Sequence, residues 1–294
     1  MDRPRFVIDA AEAESMAKQL GLTVPHLLPS LVKSAQALAR PPISNFSVGA
    51  VGLGSSGRIY LGANLEFPGL PLHHSVHAEQ FLVTNLFLNA EPHLRYIAVS
   101  DAPCGHCRQF LQETRGASNI EVLITGQDEP NYIPVSQLLP HRFGPDDLLT
   151  KDVPLLLESH RNGLGFPNNF HCNGETGNWD LLKHAALEAA NKSHAPYSRC
   201  PSGVALMDSE GKIYRGSYME SAAYNPSLGP VQAAVVALLM GGGEYEGIVA
   251  AVLVEKEGAV VKQEQTARLL LQSISTECEF KVFHCSLNMD GFRE

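Results

Sequence analysis

Apolar residues recur at helical spacing early in the chain. Leu27, Leu28, Leu31, Ala35 and Leu38 follow the 3.6-residue period and predict a helix over 24–39. A shorter stretch predicts another over 9–20. Asp9 and Thr23 stand where capping side chains are favoured, and Arg40-Pro41-Pro42 ends the second helix. The pattern then changes. Val48–Gly54 is an apolar run, Ser55-Ser56-Gly57 has turn composition, and Arg58–Ala63 resumes strand character. Val76–Leu88 reads as a buried helix, Tyr96–Ser100 as a strand, Cys104–Glu113 as a helix and Ile120–Thr125 as a strand. This alternation predicts helices layered against a sheet, an α/β domain.

Composition narrows the partners. The 294 residues suffice for two domains. A net charge of −9 with no Lys/Arg run argues against a nucleic-acid surface, because phosphate binding rests on clustered cations. The longest apolar stretch, Val231–Met240, is too short to span a bilayer. Met1–Asp9 has neither a signal-peptide core nor transit-peptide composition, so the expected location is the cytosol. Of six cysteines, Cys172, Cys200, Cys278 and Cys285 have no partner spacing and read as free thiols of a reducing compartment.

The remaining pair carries chemistry. His77-Ala78-Glu79 is followed by Pro103-Cys104-Gly105-His106-Cys107. A catalytic zinc takes three protein ligands and leaves one position open for water. His77, Cys104 and Cys107 are three such ligands, and the Glu79 carboxylate beside them can move protons. A structural zinc would want a fourth ligand; His73, His74 and His106 are the local candidates and read as ordinary polar residues, His106 pointing away from the metal. His-x-Glu alone says little. In order with Pro-Cys-x-x-Cys it is the signature of zinc nucleobase deaminases. Both motifs fall near predicted helix N-termini, where the dipole offsets the charge of two thiolates.

The scaffold is repeated. Arg40–Glu66 aligns without gaps on His194–Glu220, a shift of 154, with nine of 27 positions identical. Gly49/Gly203, Gly57/Gly211, Gly62/Gly216 and Pro42/Pro196 are among them, which suggests shared turn geometry. One residue further out of register, His77 falls on Gln232 and Glu79 on Ala234. No Pro-Cys-x-x-Cys follows residue 107, so the second copy keeps the scaffold without the metal. The Gly/Asn-rich stretch Asn162–Asn178 marks the boundary.

With these motifs and the repeat, the chain closely resembles the dimeric, two-domain, zinc-dependent cytidine deaminases. Further matching segments are Ser44–Ala50, Gly62–Glu66, Phe143-Gly144-Pro145 and Glu220–Pro226. The resemblance implies a duplicated three-layer α/β/α fold with a small N-terminal helical region. Its divisions are 1–25 (helical region), 26–150 (catalytic), 151–175 (linker) and 176–294 (degenerate copy). It implies one zinc per chain, hydrolysis of cytidine and deoxycytidine with release of ammonia, pyrimidine salvage, and a homodimer. By position, Phe46 packs on the pyrimidine, Asn64 and Glu66 hold the ribose 3′-hydroxyl, and Ala78 and Phe143 line the pocket. Ala223 and Tyr224 close the partner subunit's site. In the second copy Tyr218 replaces Asn64, so no ribose is held there in the same way. The alternatives are a related deaminase acting on another base or a polynucleotide, and a silent zinc module; the intact Glu79 argues against the last.

Overall fold

The computed structural model describes residues 5–167 and 177–288; Cys172 and part of the expected boundary lie outside them. The described chain divides into two compact units. The first comprises residues 1–158 with Ser221–Pro226, the second 159–220 with 227–294.

The first unit runs β1 (Val7–Ile8), α1 (Ala10–Gln19), α2 (Val24–Gln36), β2 (Gly49–Gly54), β3 (Ile59–Ala63), α3 (Ala78–Leu88), β4 (Leu94–Val99), α4 (Gly105–Phe110), β5 (Glu121–Ile124) and β6 (Ile133–Pro134). Two short helices, α5 (Val135–Leu138) and α6 (Pro145–Leu148), follow. The expected elements are all present, most with ends trimmed by one to three residues, while β4 starts two residues before the expected Tyr96. Asp9 and Thr23 occupy N-cap positions without a side-chain cap bond; the Thr23 hydroxyl instead meets His26 Nδ1 at 2.6 Å.

The sheet order is β1-β3-β2-β4-β5-β6, antiparallel except for the parallel pair β4/β5. A parallel pair needs a crossover, and here α4 supplies it, so the Cys104/Cys107 turn follows directly on the carboxyl end of β4. Val51, Leu53, Ile59 and Leu61 face α1 and α2 in one core. On the opposite face lies α3, whose residues Ala78–Leu86 are all buried. A helix apolar on every side is one enclosed by its surroundings. Helix, sheet and helix form three layers.

The second unit repeats the plan with β7 (Leu164–Gly165), α7 (Asn178–Lys192), β8 (Ser202–Asp208), β9 (Ile213–Ser217), α8 (Pro230–Met240), β10 (Ile248–Lys256), α9 (Glu264–Ile274) and β11 (Glu279–Leu287). Its order, β7-β11-β10-β8-β9, again holds one parallel pair, β10/β11, flanked by antiparallel β8 and β9.

Two readings of the repeat need correction. Turn geometry explains only one shared glycine pair, Gly57 and Gly211, at φ +83° and +82°. The other two lie in strands crossed closely by helix backbone. A Cβ on Gly49 would stand 2.5 Å from Gln36 N of α2, and on Gly203 2.2 Å from Ala190 N of α7. On Gly62 it would stand 2.4 Å from Ala78 O of α3, and on Gly216 2.2 Å from Pro230 O of α8. These glycines keep a layer close, whatever their φ. The register beyond the hairpin also differs. Leu65 bridges Val76, as Met219 bridges Leu228, and Gly62 meets Ala78 as Gly216 meets Pro230. The shift there is 152 (230 − 78), so His77 corresponds to Gly229 and Glu79 to Val231, not to Gln232 and Ala234. The loop before the second helix is two residues shorter, whereas the one-residue slip ran in the opposite direction. The second copy still lacks the His and the Glu.

Among the described residues no helix is long and apolar enough to cross a membrane. Cys104, Cys107, Cys200, Cys278 and Cys285 are free thiols.

Candidate active site

Two helix starts converge. His77 is the N-cap of α3 and Cys104 the N-cap of α4, which sets Glu79 and Cys107 in the first turns. His77 Nδ1 lies 3.5 Å from Cys104 Sγ, and the two sulfurs are 3.7 Å apart. All three donor atoms lie within 4.8 Å of one another. Zinc fits this triangle. Tetrahedral zinc with Zn–S of about 2.3 Å and Zn–N of about 2.0–2.1 Å sets two sulfurs about 3.8 Å apart and nitrogen about 3.6 Å from sulfur.

Electrostatics at Cys104 suit the same role. The Cys107 thiol and His77 pull the Cys104 thiol down to about 3, and a thiolate is the form that binds metal. The Cys104 contact raises His77 in return. Contact with Cys104 and burial raise Cys107. Glu79 is 4% exposed, and burial raises its pKa from the ordinary carboxylate value, the direction that suits a proton carrier. Its Oε2 accepts from Cys107 Sγ at 3.1 Å.

The His106 ring stacks on His77, centroids 4.8 Å apart and planes within 10°. His73 and His74 sit in a separate 3-10 turn, rings 4.4 Å apart. None of the three joins the donor triangle.

The other expected residues fall in three places. Phe46 is 54% exposed on the loop before β2, and Asn64 and Glu66 follow β3 beside it. Asn64 Oδ1 accepts from Val48 N at 2.8 Å, and its Nδ2 donates to Phe46 O at 2.9 Å. Glu66 Oε2 accepts from Ile43 N and Ser44 N at 2.8 and 2.9 Å. Ala78, fully buried, opens α3. Phe143 is 46% exposed, and its carbonyl accepts from Gln109 of α4, tying that loop to the cysteine helix.

Ala223 and Tyr224 lie in the segment that groups with the first unit. Buried Gln80, next to Glu79, explains part of this. Its Oε1 accepts from His77 N at 3.2 Å, while its Nε2 donates to Pro226 O at 2.9 Å. Glu113 Oε1 accepts from Ala222 N at 2.7 Å. Tyr224 itself is 70% exposed at φ +62°, a conformation disfavoured for aromatic residues. Sequence reasoning missed Gln80 and Glu113. Gln80 offered a signal, the N3 position of a helix start, where Gln commonly reaches back to the N-cap amide.

Fold and donor set together define a zinc-dependent deaminase. Models of the cytidine and deoxycytidylate deaminase zinc-binding region match residues 25–123 and 135–268. Cytidine deaminase 1 of Arabidopsis thaliana is 64% identical over 97% of this chain and 99% of its own. Cytidine deaminase 7 of the same plant is 50% identical over 98% and 96%. Cytidine deaminase of Serratia proteamaculans is 38% identical over 94% and 90%. The chain belongs to the cytidine deaminase family.

Proposed function

We propose that His77, Cys104 and Cys107 hold one zinc ion and that Glu79 moves the protons in hydrolytic deamination of cytidine and deoxycytidine. The products are uridine, deoxyuridine and ammonia. The observation that carries this reading is the donor triangle with a buried carboxylate against it. When bound, zinc supplies a Lewis acid that brings the pKa of a water to roughly 7. Glu79 takes a proton from the water that attacks C4 and passes it to the neighbouring ring nitrogen. It then takes the second proton from the hydroxyl added at C4 and delivers it to the departing amine as the C4–N bond breaks, so water's oxygen replaces the amino nitrogen. The enzyme is a zinc hydrolase acting on a cyclic amidine.

Phe46, Ala78 and Phe143 form the pocket for the pyrimidine. Asn64 and Glu66 hold the ribose 3′-hydroxyl. Each is partly occupied by the loop, yet capacity remains: Asn64 Nδ2 has a second hydrogen, and Glu66 Oε1 a free lone pair. One hydroxyl, donor and acceptor at once, satisfies both. The division into 26–150 (catalytic) and 176–294 (degenerate copy), with 1–25 helical and 151–175 linking, accompanies this reading. The setting is pyrimidine salvage in the cytosol, on free nucleosides; the net charge of −9 supports that over nucleic acid.

A homodimer completes the site, with Ala223 and Tyr224 lent to the partner. The exposure and held backbone of Tyr224 support this. Glu79→Ala and Tyr224→Asp chains are each expected to be poorly active, and mixed dimers to recover a fraction of activity. Mixed dimers confirmed by mass that stay inactive refute the exchange. The reaction is tested by incubating zinc-loaded protein with cytidine, deoxycytidine, free cytosine and single-stranded DNA, reading ultraviolet absorbance and ammonia. Turnover of the nucleosides is expected; turnover of DNA alone overturns the reading.

A further inference from the structure

The loop that carries Phe46 is held by a clasp that the second unit repeats. In the first unit the Ser44 hydroxyl donates to Glu66 Oε1 at 2.5 Å and accepts from Phe46 N at 3.1 Å. Glu66 Oε2 takes the amides of Ile43 and Ser44. Asn45 between them is left-handed at φ +55°. In the second unit the Ser198 hydroxyl donates to Glu220 Oε1 and accepts from Cys200 N at 3.1 Å. Glu220 Oε2 takes the amides of Tyr197 and Ser198 at 2.9 and 3.1 Å, and Arg199 has φ +57°. The correspondence is residue for residue at the shift of 154.

The second unit has neither the His nor the Glu of a deaminase, so the clasp it keeps serves the loop and not the reaction. What differs is the cargo. The amide fixed by Ser198 belongs to Cys200, 4% exposed, and the one fixed by Ser44 to Phe46, 54% exposed. Only the first unit adds the Asn64 amide, which grips Phe46 O and Val48 N. An exposed ring has few packing contacts of its own to set its direction; the backbone must do it. Ser44 fixes the Phe46 N–H and Asn64 fixes its carbonyl.

We infer that Ser44 is a positioning residue for the nucleoside base: held by Glu66, its hydroxyl pins the Phe46 backbone and so aims the ring at the pyrimidine. This rests on the base-packing role of Phe46 proposed above. It also means that Glu66 acts on the substrate twice, at the sugar and through Ser44 at the base.

The test uses zinc-loaded enzyme and the variants Ser44→Ala, Ser198→Ala, Phe46→Ala and the double variant Ser44→Ala/Phe46→Ala. Loss of one hydrogen bond of ordinary strength predicts a rise in KM for cytidine of roughly threefold to tenfold in Ser44→Ala, with kcat within about twofold and zinc content unchanged. The same factor is expected with 3′-deoxycytidine, which lacks the hydroxyl assigned to Asn64 and Glu66. Ser198→Ala breaks the matching clasp and should lower Tm about as much as Ser44→Ala does, with KM unmoved. In the Phe46→Ala background, Ser44→Ala should add nothing, since coupled residues are not additive. The inference is overturned by an unchanged KM in Ser44→Ala, by an equal KM rise in Ser198→Ala, by additivity with Phe46→Ala, or by a loss seen with cytidine alone. An unchanged KM in Phe46→Ala instead defeats the underlying assignment of Phe46, and this inference with it.

Discussion

Replacing Gly62 by alanine places a methyl where α3 backbone already stands. Its carbon would lie 2.4 Å from Ala78 O and 2.6 Å from Leu82 N. Ordinary contact begins near 3.4 Å, so sheet and helix must separate by about 1 Å. Backbone cannot rotate away as a side chain can. Overpacking of this kind costs about 1–3 kcal/mol, which for units of this size lowers Tm by roughly 2–12 °C. The same displacement moves the helix start that holds His77 and Glu79. A shift of about 1 Å can cost on the order of 10²-fold in rate. Gly216 is the control: its Cβ would meet Ala234 N at 2.1 Å and Pro230 O at 2.2 Å, but α8 carries no catalytic group. Thermal melts and absorbance assays with cytidine on both variants decide the matter. Both should melt earlier, and only Gly62→Ala should lose about 10²-fold in kcat/KM. A Gly62→Ala enzyme with full kcat/KM refutes the reasoning, as does an equal loss in Gly216→Ala.

Three further outcomes are expected. Glu79→Gln should retain zinc and lose about 10²–10⁴-fold in kcat, because an amide cannot carry the proton; near-normal kcat assigns the proton to another group. Elemental analysis should find one zinc per chain, and chelation should abolish activity that added zinc restores; two zinc ions per chain would contradict both the site and the degenerate copy. Glu91, wholly buried, accepts from Ser56 Oγ, from Ser55 Oγ at 2.8 Å, from Tyr60 OH at 2.9 Å and from Ser56 N at 3.1 Å. Burial pushes its pKa up, but these donors outweigh it and hold the pKa below the usual value. A depressed carboxylate stabilises the fold above the unfolded value of about 4.3 and loses that contribution as pH falls through the folded one. The Tm gap between wild type and Glu91→Gln should therefore be widest near neutral pH and shrink below about pH 4; a gap constant with pH removes the charge from the explanation.

Some of this protein was decided by sequence alone. The first unit's longer helices, its hairpin and its alternation of strand and helix follow from local periodicity, because an element's exposed and buried faces repeat with its own geometry. The cluster of His77, Cys104 and Cys107 was legible because two short motifs bring these donor types to helix starts, and metal chemistry tolerates few substitutes. The duplication was legible where turns and strands impose the same residues twice. What sequence could not decide depends on backbone brought in from far along the chain. Gly49 and Gly62 read as turn glycines until α2 and α3 are laid across them. The true shift of α8 depends on a bridge between Met219 and Leu228, not on likeness between helices. Glu66 meets Ser44, 22 residues away, only when the loop folds onto it. The grouping of Ser221–Pro226 with the first unit rests on Gln80 and Glu113, which lie 146 and 109 residues from their partners. No local pattern encodes such pairs, since a buried amide or carboxylate is satisfied by whichever backbone group the tertiary fold delivers to it.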